Sequence, residues 1–121
     1  MKRFRFLCEA PGITDARTLE ETARRAESIG YDMLVVTDHL IEQLAPIAKL
    51  AVIAGATDRL RISTLVLNNE FRHPAVLAQE LASLDVLSDG RLEIGIGAAG
   101  TSLSSATSAY RSSPLVRASS G

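Results

Sequence analysis

The stretch Leu60–Gly97, LRISTLVLNNEFRHPAVLAQELASLDVLSDGRLEIGIG, decides the fold of this chain. Its opening run, 60–69, is apolar and rich in branched side chains, as expected of a strand covered on both faces. Pro74 then opens a helix, where a missing N–H costs nothing, and Val76, Leu77, Leu81, Leu84 and Leu87 recur at helical spacing as its apolar face. Asp89-Gly90 turns the chain into a second strand, RLEIGIG, over 91–97. A strand, a helix and a strand joined by short loops form a unit that builds parallel sheets.

The same unit recurs upstream. FRFLCE (4–9) alternates apolar and polar residues as a first strand does, and Pro11-Gly12 ends it. Thr18 and Glu21 have capping-box spacing, Leu19, Ala23, Ala26 and Ile29 mark a helical face over about 16–29, and Gly30 supplies a left-handed stop. YDMLVVTD (31–38) reads as a buried strand. Leu44, Ile47, Leu50, Ala51 and Ala54 mark a second helix that tolerates Pro46 in its first turn. The order is βαβαβαβ over residues 1–100, an α/β fold of about four parallel strands and three helices. The last 21 residues, 101–121, contain eight serines and no acidic residue, and they predict a disordered tail. The repeat stops where another helix is due, so the chain reads as a truncated or frame-shifted piece of a longer repeat.

Composition narrows the function. A chain of 121 residues with a formal charge of −1 supports one ordinary domain. It has neither the basic field that nucleic acid needs nor a polybasic segment for a membrane surface. Cys8 has no partner for an intrachain disulfide and reads as a buried, inert thiol, which favours a reducing compartment. The apolar core of MKRFRFLCEAPG is too short for a signal peptide, and these features together predict a cytoplasmic protein.

Chemistry is sought beyond the carboxyl ends of the strands, where ligands of parallel α/β sheets sit. The residues there are Asp38 and His39 after the second strand, Asn68, Asn69 and Glu70 after the third, and Gly97, Ala98, Ala99 and Gly100 after the fourth. Such residues are also ordinary in loops. His39 carries the most chemistry, because imidazole exchanges protons near neutrality; its plainer reading is a loop histidine paired with Asp38. His73, just ahead of Pro74, suits capping or packing. No histidine and carboxylate spacing suggests a metal, and no Gly-x-Ser-x-Gly elbow suggests a hydrolase. LEIGIGAAG (92–100) does match Gly-x-Gly-x-x-Gly. A dinucleotide site, however, needs a helix there and an acid about 20 residues on to hold a ribose. Glu93 is the last acidic side chain of the sequence, so that reading fails.

VVTDHL (35–40), the run from Phe71-Arg-His-Pro74 through LASLDVLSDGR (81–91) into the Gly-x-Gly strand, and the first helix together resemble the luciferase-like monooxygenase superfamily, and within it the oxidoreductases that use the deazaflavin coenzyme F420. The resemblance covers about residues 3–98. It implies part of a TIM barrel, taken up to its fourth strand, and hydride transfer between a ring carbon of the cofactor and a small-molecule substrate. It implies Asp38 and His39 at the reacting face, with His39 as general acid or base. It implies a non-prolyl cis peptide at a bulge around Thr64-Leu65, Asn68 bonded to the cofactor, and Gly97-Ala98 letting the ring approach the backbone. F420 is the expected cofactor, with FMN as the alternative that shares its tricyclic ring. A full barrel takes about 250 residues. Half of one leaves strand edges exposed, which predicts self-association and raises the alternative of a non-catalytic half-barrel remnant.

Overall fold

The computed structural model describes residues 3–39 and 44–97. Four stretches of strand alternate with three helices: β1 (Leu7–Glu9), α1 (Ala16–Ile29), β2 (Met33–Val36), α2 (Pro46–Ala56), β3 (Arg61–Thr64), β4 (Leu67–Asn68), α3 (Pro74–Leu87), β5 (Leu92–Glu93) and β6 (Ile96–Gly97). β1, β2, β3 and β5 form one parallel sheet in that order, and β4 pairs in parallel with β6. The third and fourth predicted strands are therefore each broken in two. The predicted tail at 101–121 lies outside the described residues.

The sheet buries one row of side chains against α1 and α2. Leu34, Val36 and Ile62 from the strands meet Leu19, Ala23 and Ala26 of α1 and Leu50, Ile53 and Ala54 of α2 in one apolar cluster. Each fully buried Leu or Ile contributes about 1.5–3 kcal/mol. A smaller cluster, Leu67 with Leu77 and Leu81, seats α3 beneath β4. All four residues of β2 are buried, as a central parallel strand requires.

Helix positions depart from the sequence reading where the helical period drifts. In α1 the buried residues are Leu19, Ala23 and Ala26, whereas Ile29 is exposed. At about 100° per residue, Ile29 lies about 80° away from Leu19 around the helix, off the face that meets the sheet. Leu87 stands in the same relation to Leu77 in α3 and is exposed, as is Val76. In α2 the inward face carries Lys49 and Ile53, while Ala51 points outward. The cap of α1 is Asp15, whose Oδ1 accepts the Thr18 N–H at 2.8 Å, and Glu21 pairs with Arg17 instead of closing a capping box. Gly30 takes the left-handed conformation at φ 104°. His73 caps α3, its Nδ1 accepting the Ala75 N–H at 3.1 Å.

Two polar side chains bind the layers together. Arg91, buried ahead of β5, donates to the carbonyls of Ser88, Leu60 and Ala54 at 2.6, 3.2 and 2.9 Å and to the Thr57 hydroxyl at 2.9 Å. It thereby joins the end of α2, the entry to β3 and the end of α3. Glu27, near the end of α1, accepts three consecutive backbone N–H groups, from Asp58, Arg59 and Leu60, at 3.0, 2.8 and 2.8 Å.

Burial pushes the Glu27 carboxyl upward, but those backbone donors outweigh it and hold its pKa below the usual carboxylate value. A carboxylate lowered in the folded state contributes stability that is complete above the ordinary value near 4.5 and is lost as pH falls through the lowered one. Glu27→Gln is expected to lower the melting temperature at pH 7, with the gap to the parent narrowing toward pH 3. A gap independent of pH would show that the charge does no work there.

Candidate functional site

The carboxyl ends of the strands carry the candidate site. β3 stops at Thr64, and the next peptide but one, Leu65–Val66, is cis. The sequence expectation put a cis bond around Thr64-Leu65, and it falls one bond later. Across this break the Leu65 N–H still reaches the Val36 carbonyl at 2.8 Å, and the Leu67 N–H reaches that of Gly95 at 2.7 Å. β3 pairs with β2 and β5, and past the break β4 pairs with β6, aligning Asn68 with Gly97 one residue out of the β3–β5 register.

Asp38 is the polar centre of this end. Its side chain is only 2% exposed, and its carboxylate takes Arg72 on both oxygens, with Nη2 to Oδ1 at 3.0 Å, while Oδ2 also accepts the Asn68 N–H at 2.8 Å. The plainer sequence reading paired Asp38 with His39; its cation is Arg72. The Asp38 hydrogen bond, working against burial, raises the Arg72 pKa above its ordinary value. Asn68 is buried, and its side-chain oxygen accepts the Glu70 N–H at 2.9 Å. His39 follows Asp38 directly and is exposed at the mouth.

Thr64 turns its hydroxyl to the backbone of the neighbouring strand. It is 2% exposed, and its hydroxyl donates to the Gly95 carbonyl at 2.8 Å and accepts the Gly95 N–H at 3.1 Å. One hydroxyl proton, already given to Gly95, leaves nothing to donate to a ligand. Leu65 is different, being more than half exposed, and Val66, Ile94 and Ile96 are exposed as well. The two strand glycines answer to packing. A Cβ at Gly95 would overlap the Thr64 carbonyl oxygen, and one at Gly97 would come within 2.6 Å of Val66 Cγ2. Side chains there would force β4 and β6 apart. Ala98 lies outside the described residues.

Two residues of this region escaped the sequence reading. Arg72 lies thirty-four positions from Asp38, and no spacing rule joins them. Lys49 looks solvent-bound by type, yet it is 3% exposed and its Nζ donates to the Ala10 carbonyl at 2.9 Å, just past the carboxyl end of β1. Burial, opposed by the charge of Glu9, lowers its pKa. At the opposite, amino ends of the strands lies a hollow of about 770 Å³ lined by Arg3, Arg5, Asp32, Arg61 and Glu93. Its two carboxylates are already paired with Arg3 and Arg5, and it is remote from the residues just described. Among the described residues no group of three His, Cys, Asp or Glu could hold a metal, and no helix is long and apolar enough to cross a membrane.

Exposed apolar residues, Leu65 and Val66, thus follow β3, and the polar residues His39 and Asn68 follow β2 and end β4. The F420-dependent glucose-6-phosphate dehydrogenase of Amycolatopsis mediterranei (strain U-32) is 40% identical over 89 residues, covering 67% of this chain and 27% of that protein. The enzyme of the same description from Kribbella flavida is 39% identical over the same length. This chain therefore spans about a quarter of the length of these relatives. Among solved structures, the coenzyme F420-dependent tetrahydromethanopterin reductase from Methanopyrus kandleri superposes with a TM-score of 0.71 at 26% identity, over 77% of this chain and 26% of its own. The oxygenating constituent of 3,6-diketocamphane monooxygenase from Pseudomonas putida, in complex with FMN, superposes at 0.72 with 22% identity over 85% of this chain and 32% of its own, a likeness of fold. The parallel strands and their helices are thus part of a TIM barrel. Residues 4–109 match the model of the luciferase-like monooxygenases, and the chain belongs to that family.

Proposed function

We propose that this chain supplies the hydride-transfer end of an F420-dependent oxidoreductase acting on a small organic substrate, with a sugar phosphate as the first class to test. The observation that carries this reading is the buried Asp38–Arg72–Asn68 cluster beyond the carboxyl ends of β2 and β4, with His39 exposed directly after Asp38 and Leu65 and Val66 exposed between β3 and β4. The F420-dependent glucose-6-phosphate dehydrogenases among its relatives favour the deazaflavin over FMN.

When bound, the deazaflavin accepts or gives a hydride at a ring carbon. The chain's own residues do the remainder. Leu65 and Val66 would offer an apolar surface to the ring, and Asn68, at the end of β4, would give its side-chain amide N–H to a polar ring edge. Gly97 leaves room for Val66 between β4 and β6. His39 takes the proton of a substrate hydroxyl as its carbon loses hydride, and returns it in the reverse direction. Asp38 lies inside the cluster and serves by position.

Phe4, Phe6 and Leu7 are uncovered at β1, an edge strand among the described residues, and this supports self-association and with it a second reading, a self-associating half barrel without catalysis.

Titrating the purified chain with oxidised F420, following ring fluorescence with FMN in parallel, tests the proposal. Saturable binding of F420 is expected, with light scattering giving a mass above that of a monomer. A monomer that melts cooperatively and binds neither ligand would leave only ancestry to the enzymatic reading.

A further inference from the structure

The Asp38 cluster closes on itself. Asp38 Oδ2 accepts the Asn68 N–H, the Asn68 side chain accepts the Glu70 N–H, and the Asn68 carbonyl accepts the Phe71 N–H at 3.3 Å. Those two loop residues lead directly into Arg72, whose guanidinium returns to both oxygens of Asp38. Arg72 is itself anchored from the other side, because His73 caps α3 and its carbonyl accepts the Leu77 N–H at 3.0 Å. One ring of contacts therefore fastens the end of β2, the end of β4 and the start of α3. His39 follows Asp38 directly in the chain and is exposed.

We infer that Arg72 is a positioning residue of the hydride-transfer site: by gripping both oxygens of Asp38 it fixes the backbone that carries His39 and Asn68. The inference rests on the proposed function for what is positioned, but the ring stands on geometry alone. A guanidinium suits the task because its planar fork meets two carboxylate oxygens at once and so fixes orientation as well as distance. An ammonium is a point charge that fixes distance only. With Asp38 at 2% and Arg72 at 19% side-chain exposure, water does not readily take over the contact.

The experiment uses the 121-residue chain with Arg72→Lys, Arg72→Leu and the neutral pair Asp38→Asn/Arg72→Gln. The pair removes both charges together, so no lone carboxylate is buried and the variant remains foldable if Arg72→Leu does not. Two readouts apply: amide hydrogen exchange at Asn68 by NMR, which needs no ligand, and the fluorescence titration with F420. Exchange at Asn68 is expected to quicken at least tenfold in Arg72→Leu or, if that fails to fold, in the pair, with Arg72→Lys intermediate. The pair is expected to melt within a few degrees of the parent and to bind F420 at least tenfold more weakly. Unchanged Asn68 exchange in a folded variant overturns the ring. Parental F420 affinity in the folded pair overturns the positioning role. A parent chain that binds no F420 overturns the proposed function and, with it, the role toward the cofactor, while the exchange data still decide the ring.

Discussion

Arg91→Met is expected to melt far below the parent chain, with a loss of about 3–5 kcal/mol, because it removes a buried donor from three carbonyls, of which only that of Ala54 keeps another, the Thr57 N–H at 3.4 Å, and a buried acceptor left without a donor costs about 1–3 kcal/mol. The three carbonyls are those of Ser88, Leu60 and Ala54, and the Thr57 hydroxyl loses a donor as well. Methionine keeps much of the volume, so the loss reports hydrogen bonds more than a cavity. Arg91→Lys reaches some of these oxygens with a single ammonium and is expected to recover part of the loss. Small domains hold only about 5–15 kcal/mol in all, so the methionine variant sits near its unfolding threshold. Urea unfolding followed by far-ultraviolet circular dichroism measures it. A midpoint within experimental error of the parent would mean that water replaces the guanidinium, and that the junction of α2, β3 and α3 is held by apolar contacts alone.

His39→Ala is the complementary case, large in chemistry and small in stability. The side chain is exposed, and exposed substitutions away from special features stay within about 0.5 kcal/mol. Removing a general acid or base lowers turnover by about 10²–10⁴. F420 reduction with glucose 6-phosphate, followed by loss of the oxidised chromophore, is the assay, since relatives of this chain carry that activity in their descriptions. A fall in turnover with F420 affinity kept is the expected pattern. Parental turnover in the variant would remove His39 from the proton chemistry. An inert parent chain would instead favour the half-barrel reading.

Much of the fold was legible because it rests on local periodicity. The run Leu60–Gly97 announced a strand, a helix and a strand through branched residues, Pro74 and Asp89-Gly90, and the helix boundaries of α1 and α3 follow from the same signals. Burial was less legible at the helix ends, where Ile29 and Leu87 drift off the inward face. The two long strands read as continuous because apolar composition does not register a one-residue slip in pairing. That slip, from Ile62 opposite Leu92 to Leu67 opposite Ile96, falls across Leu65–Val66, and only the tertiary pairing reveals it.

The candidate site divides along the same line. The sequence by itself marked where the apolar runs end, and so brought forward Asp38, His39, Asn68 and Gly97, with Leu65 added by the family resemblance. It could not say what each side chain touches. Asp38 meets Arg72 across thirty-four residues, Thr64 turns its hydroxyl to Gly95, and Lys49 is buried against Ala10. Those pairings were decided by the tertiary structure, because the energy of a buried polar group depends on which distant partner the packing delivers, and the one-dimensional pattern carries periodicity but no distances.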